Sequence, residues 1–230
     1  MRQQKSPVGM NLCITSRCNR RCPDCCAGVG RFNEGYDVDW DTLVALGKTI
    51  GHLPGGYICG QYAATNIGFN LSGGEPSFHK DFAAIAPKLR SAFSCDRIII
   101  TTNGWGFTRT PEAFLAFDEI HTSLYNDQTF PGCPNNNADI AFMHNFLQGK
   151  NALHKFFVYQ IERHVPRPPP GPGTCFRSSN GYVIYWEGLL YPCCTSQGMV
   201  GRIGIPPTPD WREKIMQVDL PCATCCFRNA

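Results

Sequence analysis

The 230-residue chain has no run approaching the ~18 consecutive apolar residues that a membrane-spanning helix needs, and its N-terminus carries no apolar signal region. Charge is sparse as well. Asp, Glu, Lys and Arg make up 17% of residues, the net charge is +3, and there is no basic run beyond Arg17, Arg20 and Arg21. A balance that slight argues against nucleic acid or a membrane surface as partner. Internal repeats are absent, and the one biased stretch is Pro166-Arg-Pro-Pro-Pro-Gly-Pro-Gly173. Such a segment is stiff and extended and continues neither strand nor helix. What the chain has in excess is cysteine, 14 residues. With no signal region, that number predicts metal ligation in a reducing cytoplasm, and oxygen sensitivity, rather than a disulfide framework.

Three of the cysteines, Cys18, Cys22 and Cys25, lie in Thr15-Ser-Arg-Cys-Asn-Arg-Arg-Cys-Pro-Asp-Cys25. Three closely spaced thiolates can hold three irons of a [4Fe–4S] cluster and leave the fourth iron open, and an open coordination position marks a reactive site. Structural zinc prefers four protein ligands in paired knuckles and suits this spacing poorly. Some 50 residues on comes Leu71-Ser-Gly-Gly-Glu-Pro76. Gly73 and Gly74 lack a Cβ and so permit a close backbone approach; Glu75 supplies a carboxylate and Pro76 stiffens the exit.

Together, Cys18/Cys22/Cys25 and Gly73-Gly74-Glu75-Pro76 resemble the radical S-adenosylmethionine (radical SAM) superfamily. The resemblance implies that the open iron chelates the methionine moiety of SAM and that the Gly73–Pro76 loop contacts its amino group. It also implies reductive cleavage of SAM to a 5′-deoxyadenosyl radical that abstracts a substrate hydrogen, with a flavodoxin- or ferredoxin-type electron donor. One position departs from the superfamily: the residue before the third cluster cysteine, usually aromatic and near the adenine, is Asp24. Arg17, Arg20 and Arg21 either offset the charge of thiolates and SAM carboxylate or form a solvated loop.

Patterning predicts strands at 11–16, 66–71, 97–102, 119–125 and 155–164, alternating with helices at 38–53, 79–93 (kinked or split at Pro87), from Thr110-Pro111 onward, and at 138–148. That alternation implies an α/β fold with a parallel sheet and its chemistry at the carboxyl ends of the strands. The resemblance narrows it to a partial (β/α)6 barrel over residues 1–165. Residues 166–173 then form the linker, and 174–230 a small unit with a β-hairpin around Glu187-Gly188 and a helix starting at Thr208-Pro209-Asp210.

That last unit is too short for a core of its own, so a metal staple is expected. Its layout, Cys175, Gly188, Cys193 and a late Cys222-x2-Cys225, looks like the shortened "twitch" form of the SPASM domain. The resemblance implies a second, auxiliary [4Fe–4S] cluster on Cys175, Cys193, Cys222 and Cys225, with Cys194 and Cys226 as adjacent alternatives. A zinc knob on the same four cysteines remains the competing reading. Cys13 and Cys95 are expected to be small core residues, and Cys133 a loop thiol.

Ser123, at the end of the fourth strand, sits where the superfamily often places a polar contact to the SAM ribose. Thr102 and Asn103 end the third strand similarly; the alternative for each is a turn-satisfying role. Alternation in the fifth strand suggests that Phe157, Tyr159 and Ile161 pack on helices while Gln160, Glu162 and His164 point inward. Glu162 is then the candidate substrate contact or acid–base group. Size and cysteine layout resemble twitch-type dehydrogenases of an aminocyclitol alcohol, which predicts a two-electron oxidation of a small molecule with the auxiliary cluster as acceptor. The alternatives are a maturase acting on a ribosomal peptide and a non-catalytic metal-binding scaffold.

Overall fold

Short β-branched and aromatic segments set between amphipathic helices build a seven-stranded, mostly parallel sheet in this computed structural model. It describes residues 9–22, 25, 35–50, 56–57, 66–67, 69–92, 97–125, 135–160, 182–192 and 204–217. In chain order the elements are β1 (Gly9–Thr15), α1 (Trp40–Ile50), β2 (Gly56–Tyr57), β3 (Asn66–Ile67), β4 (Phe69–Gly73), α2 (Phe82–Ala92), β5 (Ile98–Thr102), α3 (Pro111–Phe114), β6 (Glu119–Leu124), α4 (Asn137–Gly149), β7 (Phe156–Gln160), β8 (Tyr182–Trp186), β9 (Leu189–Tyr191) and α5 (Trp211–Met216). The sheet runs β7-β6-β5-β4-β1-β8-β9, and within it only the β8–β9 pair is antiparallel.

Register explains which face is buried. Leu12 lies opposite Leu71, Leu71 opposite Ile100, Ile100 opposite Ile120, and Ile120 opposite Phe156. This apolar row, with Met10, Phe69 and Ile98 beside it, meets Leu43, Leu46 and Ile50 of α1, Phe82, Ile85, Ala86 and Leu89 of α2, and Met143 and Leu147 of α4 in one core. The helix faces read from periodicity are the buried ones. Asp39 caps α1, accepting from Thr42 N at 2.8 Å.

Several expectations need correction. Asn66–Ile67 does not enter the main sheet; it pairs antiparallel with Gly56–Tyr57, and the sheet strand begins at Phe69. Pro87 neither ends nor splits α2: it lies on the exposed side, where the lost N–H bond and the ring are tolerated. The faces of β7 are reversed. Phe156 packs on the helix-side core, whereas Phe157 and Tyr159 lie against the His121 ring at 5.2 and 5.3 Å, on the face opposite the helices. Cys13 is buried as expected, yet it sits outside the apolar cluster, 3.5 Å from the Ser72 hydroxyl.

The hairpin turns at Glu187-Gly188, both with positive φ. It does not stand alone. β8 pairs in parallel with β1, and Val183, Tyr185, Leu190, Trp211 and Ile215 join the same apolar core. Arg212 Nη2 also donates to the Ile50 carbonyl at 3.1 Å, tying α5 to the end of α1. Residues 166–173 lie outside the described residues. Among those described, no helix is long and apolar enough to cross a membrane.

Candidate functional site

β1 delivers the cysteine loop at its carboxyl end. The loop's root is clamped where it returns: Ser16 N donates to the Tyr36 carbonyl at 2.8 Å, Tyr36 N to Ser16 Oγ at 2.7 Å, and Thr15 Oγ1 to Asp37 Oδ1 at 2.6 Å. Arg17 reaches Asp37 at 3.3 Å, its side chain half exposed. Cys18, Cys22 and Cys25 are each partly buried on this loop.

β4 brings the second motif directly alongside. Gly74 N donates to Thr15 O at 2.7 Å and Glu75 N to Arg17 O at 2.8 Å. A Cβ on Gly73 (φ +136°) would overlap the Thr15 carbonyl oxygen, and one on Gly74 would overlap that of Arg17. The close approach that both glycines permit is therefore, first of all, to the chain's own cysteine loop.

Glu75 is fully buried. Its Oε1 accepts from Ser77 Oγ at 2.6 Å, Thr102 Oγ1 at 2.7 Å and Ser77 N at 3.2 Å; Oε2 accepts from Asn103 N at 2.6 Å. Burial pushes this carboxyl up, and those four donors pull the other way. Its carboxylate thus staples the loop after β4 to the end of β5. Pro76 follows, buried, as the first residue of a 3-10 turn.

Asn103 turns its amide toward the cysteine loop. Nδ2 lies 2.8 Å from Asn19 Oδ1 and 3.6 Å from Cys18 Sγ. Gly104 (φ +88°) makes the turn that follows. Ser123, 7% exposed, lies one residue before the end of β6 on the same side of the sheet. The structure so brings Cys18, Cys22, Cys25, Gly73, Gly74, Glu75, Pro76, Asn103 and Ser123 to the carboxyl ends of β1, β4, β5 and β6. Glu162, Cys175, Cys193, Cys222, Cys225 and their alternatives Cys194 and Cys226 lie outside the described residues, as do Asp24, Cys95 and Cys133.

Asn136 and Tyr125 escaped the sequence reading, and Arg20 was read without its burial. Asn136, at the N-terminus of α4, makes no capping bond; its Nδ2 donates to Asn103 O at 2.7 Å and Ser123 O at 2.8 Å, while Oδ1 accepts from Tyr125 N at 3.0 Å. Arg20, read as one of three loop cations, is 5% exposed, with its guanidinium carbon 4.1 Å from the centroid of the Tyr125 ring. The only sequence signal for Asn136 is its place before a helix, which suggests a cap instead.

The same face continues below these loops with polar side chains. Asn70 Nδ2 and Ser72 Oγ donate to Asn11 Oδ1 at 3.0 and 2.6 Å, and Thr101 Oγ1 donates to Asn70 Oδ1 at 2.9 Å. One strand along, His121 Nε2 meets Glu119 Oε2 at 2.7 Å, and Arg97 pairs with the other Glu119 oxygen. Burial holds the His121 imidazole below its ordinary value, although Glu119 opposes this.

The donor set suits a cluster. Without metal, burial pushes the Cys18 thiol up to about 11, against the pull of the Arg20 backbone N–H. A bound cation reverses that balance and deprotonates coordinating thiols. Among the described residues no group of three or more His, Cys, Asp or Glu is gathered as a single ion requires. A cubane asks for something different, each thiolate on its own iron, and donors such as Arg20 N, 3.4 Å from Cys18 Sγ, suit a ligating sulfur.

No family model matches the chain. It is similar to an S-adenosylmethionine-dependent nucleotide dehydratase of Selenomonas ruminantium, 30% identical over 120 residues that make up 50% of this chain and 38% of the relative. It is also similar to the GTP 3′,8-cyclase of Haemophilus influenzae, 30% identical over 104 residues, 44% of this chain and 28% of the relative. The chain thus matches well under half the length of these curated relatives. Among solved structures, BtrN in complex with AdoMet and 2-DOIA shares the fold, with a TM-score of 0.59 and 15% identity over 94% of this chain and 85% of that one. BtrN in an open conformation gives a TM-score of 0.53 over 94% and 82%. The cysteine loop, the Gly73–Pro76 loop against it, these partial relatives and the shared α/β fold support a place for the chain in the radical SAM superfamily, which implies SAM bound at a [4Fe–4S] cluster.

Proposed function

We propose that the chain is a radical SAM oxidoreductase that dehydrogenates an alcohol on a small polar molecule. The observation that carries this reading is the arrangement at the strand ends. The cysteine loop, the Gly73–Pro76 loop and Asn103 meet above a sheet face lined by Asn11, Asn70, Ser72, Thr101 and His121. Cys18, Cys22 and Cys25 would hold the cluster, with Gly73, Gly74, Asn103 and Ser123 beside the SAM. When bound, the pair supplies a 5′-deoxyadenosyl radical able to take a hydrogen atom from an unactivated C–H bond.

Removing that hydrogen atom from a carbinol carbon, then one electron and the hydroxyl proton, leaves a ketone. His121 is the group we assign to the proton. Burial favours its neutral imidazole, and the contact of Nε2 with Glu119 orients the ring. Amide and hydroxyl groups of Asn11, Asn70, Ser72 and Thr101 suit a hydroxylated substrate. Cys175, Cys193, Cys222 and Cys225 would hold an auxiliary cluster, which would supply the acceptor for that electron. A small-molecule substrate, a flavodoxin- or ferredoxin-type reductant and a cytoplasmic setting complete the proposal.

The test is iron, acid-labile sulfide and 5′-deoxyadenosine after anaerobic reconstitution, in the wild type and in a Cys18/Cys22/Cys25→Ala variant. We expect about eight irons per chain falling to about four, with 5′-deoxyadenosine abolished. Wild type at about four irons, falling to none, would remove the built-in oxidant and with it the dehydrogenase reading.

A further inference from the structure

His79 belongs to neither sequence motif, yet its ring joins the two loops that carry them. The side chain is 5% exposed and lies just beyond the 3-10 turn that follows Glu75. Its Nε2 is 2.9 Å from the Val38 carbonyl oxygen, and its Nδ1 accepts from Asp81 N at 3.1 Å. A carbonyl oxygen can only accept, so Nε2 carries the proton and the two partners fix the tautomer. Val38 lies where the cysteine loop has returned to β1. Its N–H donates to the Ile14 carbonyl at 2.9 Å, next to the bridge between Thr15 and Asp37. The His79 ring therefore reaches across 41 positions of sequence to the base of the cysteine loop.

These bonds close a ring around the end of β1. On one side Gly74 N donates to Thr15 O; on the other Val38 N donates to Ile14 O. His79 completes the circuit, since its backbone N–H donates to Pro76 O at 3.0 Å while its imidazole donates to Val38 O. A SAM molecule that chelates the open iron and touches the Gly73–Pro76 loop needs those two loops at one fixed separation, and small misplacements of reacting groups are costly. We propose that His79 is a positioning residue that sets this separation through its Nε2–H bond to Val38 O and thereby strengthens SAM binding. This rests on the radical SAM reading of the site and deepens it by assigning the spacing of the two cofactor loops to one buried side chain. The competing role is local. The bond from Asp81 N to Nδ1 runs from residue i+2 back to i, as in a turn cap, and Phe82 N donates to the His79 carbonyl at 3.0 Å where α2 begins.

The two roles are separable because they use different nitrogens. His79→Asn keeps a short acceptor for Asp81 N and loses the reach to Val38, whereas His79→Gln carries a donor long enough for Val38 O. On the anaerobically reconstituted full chain, the SAM dissociation constant is measured by equilibrium dialysis, and amide hydrogen exchange is followed at Val38, Gly74 and Glu75. We expect SAM binding weakened about five- to tenfold in His79→Asn, with faster exchange at those amides, and His79→Gln close to wild type in both. A histidine that only caps its own turn predicts the reverse order. His79→Asn with wild-type SAM affinity therefore overturns the proposal, and so does an equal loss in the two variants. Should His79→Asn fail to load its cluster, His79→Gln decides: wild-type affinity supports the proposal, and a loss of about five- to tenfold overturns it. A wild type that binds no SAM would sink the superfamily reading itself, an outcome distinct from unchanged affinity in His79→Asn.

Discussion

The two faces of one sheet follow opposite rules. The side covered by α1, α2 and α4 presents Leu12, Leu71, Ile100, Ile120 and Phe156 in register, all but the last fully buried. One residue away along the same strands, the other face presents Asn11, Asn70, Ser72, Thr101, Glu119 and His121, hydrogen-bonded to one another. Because side chains alternate with a period of two, each strand serves both purposes at once. Burial of apolar area on the first face supplies the stability that lets the second carry polar and ionised groups. The difference teaches where substitutions should hurt the fold and where they should hurt the chemistry.

The largest effect on stability should come from the apolar face. Leu71→Ala removes a fully buried side chain from the middle of the row and should cost about 2–5 kcal/mol in denaturant unfolding. Its neighbour supplies the contrast. Asn70→Ala on the other face should cost only about 1 kcal/mol, while product formation falls far more than stability does. Equal unfolding costs at the two positions would break the comparison.

Glu75 sits where the faces meet the loops, and its replacement is the next effect in size. Glu75→Gln keeps the shape but offers an NH2 group to one of the four donors that now meet oxygen, among them Asn103 N. The expected cost is about 1–3 kcal/mol, with loosening of the Asn103 loop visible as faster amide hydrogen exchange at 103–105. Unchanged exchange there would show that the staple is dispensable.

The smallest expected effect is a pH dependence. The folded His121 titrates below its ordinary value of 6.5, so between those two values the unfolded chain binds more protons than the folded one. Stability from this group is then fully present above 6.5 and is lost as the pH falls toward the folded value. The charged groups facing His121 are Glu119, which opposes the shift, and Arg97, which adds to it. Thermal melts of His121→Asn should lose this part of the acid-side decline; an unaltered profile would place its cause elsewhere.

Much of this was legible beforehand because the relevant forces are local. Cys18, Cys22 and Cys25 are within eight residues, Gly73 to Pro76 are contiguous, and the buried faces of α1 and α2 follow from helical period alone. The faces of β7 were not legible. Phe156, Phe157 and Tyr159 are all apolar enough for either side, and only the pairing of Ile120 with Phe156 decides the parity. Tyr125 and Asn136 were missed, and the burial of Arg20 with them, for a related reason: their partners are brought near by the sheet and not by the sequence around them.

The chain by itself determined the three closely spaced thiols, the two glycines, the strand–helix alternation and the apolar stripes of α1 and α2, since spacing and side-chain type suffice for each. Only the tertiary structure decided that β8 lies beside β1, that Glu75 is a buried staple between two strand ends, and that Arg20 packs on the Tyr125 ring. Those are contacts between segments far apart in sequence, and strand register, which no single segment specifies, sets which side chains they bring together.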